Sequence, residues 1–152
     1  MTQIVSLDST TKRFALPLLY PGQIQKEQSV NEALIRLDTV AQPAFLDERA
    51  VPPASPVDGA IHLVAAGAQD GWTGHEGALA VRTGTTWLFV EPAHGMHALD
   101  LSSGQLVRYH DGEWKRAPTP APVTGGATID QECRVALKSL VDALKQFGIF
   151  SA

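Results

Sequence analysis

The chain has 152 residues, 44% of them hydrophobic and 18% charged, which is enough to bury one core and too apolar for a disordered segment. A formal charge of -4, from 12 Lys plus Arg against 16 Asp plus Glu, excludes the basic field that grips a phosphate backbone, so no nucleic-acid partner is expected. No run of about 18 apolar residues is present and the start, MTQIVSLDSTTKRF, lacks a signal-peptide plan, so cytoplasmic synthesis without membrane insertion is expected.

Residues 1–13 read as an N-terminal arm, and residues 14–28, interrupted by Pro17, Pro21 and Gly22, as an extended approach to a helix. Ser29 and Glu32 have the spacing of a capping box and Pro43 is a helix stop, which together predict a helix over 30–41. Val30, Ala33, Leu34, Leu37, Val40 and Ala41 make its docking stripe, with Arg36 and Thr39 off it.

After the bend at Pro52, Pro53 and Pro56, β propensity rises. Six strands are predicted, at Ala60–Ala65, Gly77–Arg82, Thr86–Glu91, His97–Leu101, Gln105–His110 and Glu113–Arg116, each bounded by turn residues. Asp111-Gly112 suits a tight hairpin and Ser102-Ser103-Gly104 a looser one. The expected fold is α+β: a small antiparallel β-meander with one N-terminal docking helix, spanning residues 14–116. The segments Val81–Pro92 and Val107–Pro118 are alike, a recurring hairpin or an internal duplication.

Residues 117–127, APTPAPVTGGA, form a Pro/Gly linker. Beyond it, in residues 128–152, Thr128 and Gln131 make a second capping box, Asp130 suits the positive end of the helix dipole, and Gly148-Ile149 make a left-handed stop. A helix over about 129–147 is predicted. Cys133, Leu137, Leu140, Leu144 and Phe147 step by 4, 3, 4 and 3 along it, as the seam of a coiled coil does. Such a helix either folds back on its own sheet or associates with identical helices, and the tether favours association.

Reactive chemistry is not evident. His94, His97 and His110 lack the helical context and the spaced carboxylate of a metal site, so no metal is expected. No cofactor is expected either, because the glycines around Trp72 lead into no helix. The acid pairs Asp47 with Glu48, Asp70 with Glu76, and Glu91 with Asp100 are not singled out by their surroundings. Cys133 reads as a small core residue; being the single cysteine, it excludes an intrachain disulfide. Tryptophan stacks on sugar rings, and Trp72, with His75 and Glu76 in the glycine loop, is the candidate glycan contact, whereas Trp87 and Trp114 are expected to be buried.

GQ-x-QKE (Gly22 to Glu27), NEAL (Asn31 to Leu34), PPASPVDG (Pro52 to Gly59), HLVAAGAQDGWTGHEGALA (His62 to Ala80), WLFVEPAHG (Trp87 to Gly95) and DGEW (Asp111 to Trp114) occur in this order. They resemble an uncharacterised family met in phages, prophages and gene transfer agents of alphaproteobacteria, over about residues 14–116. The resemblance brings no catalytic residues. It implies a non-enzymatic virion protein, a tail-fibre, spike or tail-tip adaptor working beside other virion proteins, with the last helix assembling as a homotrimer. The alternatives are a module binding host surface polysaccharide and, behind it, a polysaccharide-degrading enzyme.

Overall fold

The computed structural model describes residues 16–19, 22, 24, 26–126 and 130–151. Helix α1 spans Lys26–Ala41. Eight strands come after it: β1 Ala44–Phe45, β2 Glu48–Arg49, β3 Ile61–Val64, β4 Leu79–Thr83, β5 Thr86–Val90, β6 His97–Asp100, β7 Gln105–His110 and β8 Glu113–Arg116. A 3₁₀ turn at Asp70–Trp72 interrupts the loop between β3 and β4, and α2, Gln131–Gln146, comes last.

The protein is α+β with a β-rich core, yet the strands make two mixed sheets rather than one meander, ordered β1-β6-β7-β8 and β2-β3-β4-β5. All six predicted strands are present within about two residues. The two without a sequence signal, β1 and β2, are two residues long, too short to show an alternation. β1 runs parallel to β6, and β2 parallel to β3. The short strap 43–50 therefore knits the two sheets together, with Pro43 and Phe45 carbonyls accepting from Leu99 and Leu101, and Asp47 and Arg49 carbonyls accepting from Leu63 and Ala65.

Turn chemistry sets the register. Thr83 pairs with Thr86 across Gly84-Thr85, and Gly84 has φ +55. His110 pairs with Glu113 across Asp111-Gly112, both at positive φ (54° and 80°), the signature of a type I′ hairpin. The two similar segments, Val81–Pro92 and Val107–Pro118, diverge here. The second carries one more residue between Val and Trp, and because side chains alternate, this turns the tryptophans to different faces. Trp87 lies opposite Arg82 on an outer face, while Trp114 lies opposite Tyr109 and packs on the main core.

That core takes Phe45, Leu63, Leu79, Val90, Met96, Ala98 and Val107 from both sheets, with Val40 of α1 against it. Trp114 also binds across the sheets, donating its indole N–H to the Gly77 carbonyl at 2.8 Å.

α1 begins one turn before the predicted start, which places Ser29 inside the helix rather than at its cap. Its docking face also differs from the expected stripe. Thr39 is fully buried, with its hydroxyl bonded back to Ile35 O, whereas Leu34 and Leu37 stay half exposed. The cause is the edge of β5, whose backbone groups need partners. Arg36 supplies one by donating to Phe89 O at 3.0 Å while pairing with Glu32 at 2.9 Å, so a polar side of the helix meets the sheet.

Asp100 holds the turn between β6 and β7. Its buried carboxylate accepts from Ser102 Oγ at 2.6 Å, Ser102 N at 2.9 Å, Ser103 N at 3.4 Å and Arg116 Nη2 at 3.1 Å. Arg116 also reaches Glu48 at 2.9 Å, joining β8 to β2. Burial pushes the Asp100 carboxyl up, but the bonds from Ser102, Arg116 and Ser103 prevail and hold it below its ordinary 3.8. A depressed carboxyl contributes stability that is complete above its unfolded pKa and is lost as pH falls through the folded value. Urea unfolding of wild type is therefore expected to weaken below about pH 3.8. Asp100→Asn is expected to cost roughly 1.5–3 kcal/mol at neutral pH, with the gap closing in acid. Parallel stability curves for the two proteins across pH would remove this account.

Candidate functional site

α2 and the segment leading to it present an open apolar surface. Asp130 caps the helix by accepting from Cys133 N at 2.8 Å; Thr128, expected in a capping box from its spacing, lies outside the described residues, as does Ile129. At the other end Gly148, at φ +70, donates to Lys145 O and Ile149 N donates to Leu144 O, the paired bonds of a Schellman stop. The chain then returns to its own sheet. Leu106 N donates to Gly148 O at 2.6 Å, and the buried Gln105 amide donates to both Ala117 O (2.6 Å) and Ile149 O (2.9 Å). One glutamine of β7 thus clamps both ends of the appendage.

Between those ends, α2 has no buried residue. Arg134 donates to Val123 O and Gly125 O, holding the Pro-rich stretch alongside the helix. The two enclose an apolar groove of about 610 Å³, lined by Pro120, Pro122, Leu137, Leu140, Val141 and Leu144. Of the expected seam, Leu137, Leu140 and Phe147 are 44%, 55% and 78% exposed, and Leu144 is half-buried. Cys133 is exposed, which corrects its reading as a core residue. This arrangement holds the end of the helix in cis and leaves its apolar side open.

The glycine loop is placed differently from expectation. Trp72 is 0% exposed, because residues 65–78 fold over the outer face of the β3-β4-β5 sheet and drive the ring under the chain. It meets Trp87 edge-on at 5.0 Å. His62, also buried, sits 5.9 Å from both rings and bonds to Asp47 at 2.5 Å through Nδ1. His75 stacks on Phe89 at 3.7 Å, and Glu76 is exposed, so the three residues expected to contact a glycan share no surface. Trp87 and Trp114 are only half-buried, the reverse of the expected ranking. Trp87 borders a shallow cleft of about 490 Å³ between α1 and the β4–β5 hairpin, with Gln28, Asn31, Thr83 and Thr86 around it.

Of the acid pairs, Asp47 is engaged by His62 and Arg49, Glu48 and Asp100 share Arg116, and Glu91 lies 3.9 Å from His75. Pairing brings together two histidines that sequence spacing separated. His110 Nδ1 lies 3.3 Å from His94 Nε2, and its Nε2 lies 3.2 Å from Asp111. His97 stands apart, opposite Arg108. No helix among the described residues is long and apolar enough to cross a membrane.

A family model described as a protein of unknown function, DUF2793, matches residues 30–115, more than half of the chain. The chain belongs to the DUF2793 family. The match runs from inside α1 to within β8, so the DUF2793 domain comprises both sheets and most of α1. Residues 117–126 and α2 lie beyond the matched DUF2793 residues. No curated protein matches the chain.

Proposed function

We propose that this chain is a non-enzymatic structural component of the virion of a tailed phage or gene transfer agent, acting as an adaptor at a fibre, spike or tail tip. The observation that carries the reading is the open apolar side of α2, held at a fixed point on a packed DUF2793 domain. A helix of this kind is completed by neighbours. The occupant is a second and third copy of the same helix, packed along Leu137, Leu140, Leu144 and Phe147 in a trimeric contact. Leu34 and Leu37 of α1, half exposed, offer a separate surface to another virion protein. The virion setting itself rests on the resemblance of the family motifs, and synthesis precedes assembly in the host cytoplasm. Sedimentation of the full chain against Leu137→Asp/Leu140→Asp tests the assembly, and antibody labelling of purified particles tests the setting. Unlabelled particles would end the virion reading.

Recognition of surface polysaccharide is a second reading, supported by the cleft beside Trp87. There an aromatic ring meets amide and hydroxyl groups of Gln28, Asn31, Thr83 and Thr86, the combination that packs on and hydrogen-bonds a sugar. Glycan-array binding is expected to be lost in Trp87→Ala with the fold retained. Equal binding by both proteins, or none by wild type, would dismiss it.

A further inference from the structure

The two histidines at the tip of the β6-β7-β8 sheet have a geometry that surface imidazoles do not need for packing. Each sits on a hydrogen-bonded turn. Gly95, at φ +82, donates to Tyr109 O at 2.9 Å and Met96 donates to Ala93 O at 2.9 Å, which folds His94 over the end of β7. His110 is the last residue of β7, and Asp111 occupies the first positive-φ position of the type I′ turn after it.

The nitrogen roles follow from the partners. Asp111 lies 3.2 Å from His110 Nε2, and a carboxylate can only accept. A neutral ring with its proton on Nε2, the side facing that carboxylate, has its Nδ1 lone pair facing His94 Nε2, 3.3 Å away. Two imidazole nitrogens bound to one tetrahedral zinc ion, at about 2.0–2.1 Å each, stand about 3.3–3.4 Å apart. A carboxylate on the far nitrogen of a ligating histidine is the arrangement that fixes its tautomer and raises its basicity. Lys115 lies 3.6 Å from Asp111, and Glu113 is paired opposite His110 across the hairpin.

We infer that His94 Nε2 and His110 Nδ1 bind a divalent transition-metal cation of the zinc class, with Asp111 orienting His110 and water completing the coordination. Both ligands are imidazoles, which suit zinc, copper or nickel and not calcium or magnesium. The ion pins the loop between β5 and β6 to the tip of the β7–β8 hairpin. It belongs to the family domain and is independent of α2.

Calorimetric titration of the full chain with zinc chloride in a non-chelating buffer tests the site. One zinc per chain is expected, with binding abolished in His94→Ala and in His110→Ala. Affinity is expected to fall about 10–100-fold in Asp111→Asn, a residue that still accepts the positive-φ turn. A zinc-dependent rise in melting temperature is expected for wild type and not for His94→Ala. Absence of zinc binding, binding that survives both alanine variants, or binding lost in Cys133→Ser, which would place the metal at the exposed thiol, overturns the assignment.

Discussion

Leu137→Asp/Leu140→Asp is expected to convert a trimer into a monomer in sedimentation experiments on the full chain, with the helical signal and the unfolding of the family domain retained. Both leucines are about half exposed in the single chain, and neither supports the β core. Burying a leucine fully stabilises by about 1.5–3 kcal/mol, so two per chain across three chains dominate a helix seam of this length. Replacing them with carboxylates removes that burial and brings like charges together. Ser139→Asp, on an exposed residue outside the seam, is the control and is expected to stay trimeric. Point substitution is the cleaner experiment here, because deleting α2 with the residues after it would also take Ile149 O from the Gln105 amide and leave that group half satisfied. A wild type that sediments as a monomer at the highest accessible concentration would refute the self-association proposal.

Trp72→Ala is expected to lower stability by about 3–5 kcal/mol in urea unfolding, the cost of emptying a site filled by a large aromatic ring. Trp72 is fully buried together with Val64 and Ala80, beneath Trp87 and Phe89. Its indole N–H has no hydrogen-bond partner among the described residues, so Trp72→Phe loses volume but no bond and is expected to be markedly milder. The substitution also reports on the loop, since residues 65–78 are held to the sheet by this ring together with the Gln69 N–H to Ala50 O bond and the stacking of His75 on Phe89. A loss below about 1 kcal/mol would show that the loop is secured in another way. Loss of any ligand in Trp72→Ala would accordingly report unfolding, not a lost contact.

The strands are legible because their boundaries are written in turn chemistry: Gly84, Gly104 and Asp111-Gly112 each sit where the chain must reverse, with positive φ. The end of α2 is legible for the same reason, in Gly148. The features hidden from sequence depend on distant partners. The apolar stripe of α1 is plain, yet an edge carbonyl 53 residues away draws Arg36 inward and leaves Leu34 and Leu37 outside. Glycines around Trp72 point to the surface; in the structure Gly67, Gly74 and Gly77 make turns at positive φ in a loop that buries it. His94 and His110, 16 residues apart, become neighbours only once β6 has paired with β7. The strap strands β1 and β2 carry no signal of their own at two residues each.

The Gln105 clamp has a mechanical consequence. β7 lies between β6 and β8, and its first two residues, Gln105 and Leu106, which precede the stretch paired with β8, receive the Ile149 and Gly148 carbonyls. A pull along the terminal rod therefore enters the sheet at the start of β7 and passes first to Asp100 and Leu99 of β6, the partners of Gln105 and Leu106, so these pairs carry the load before β8 does.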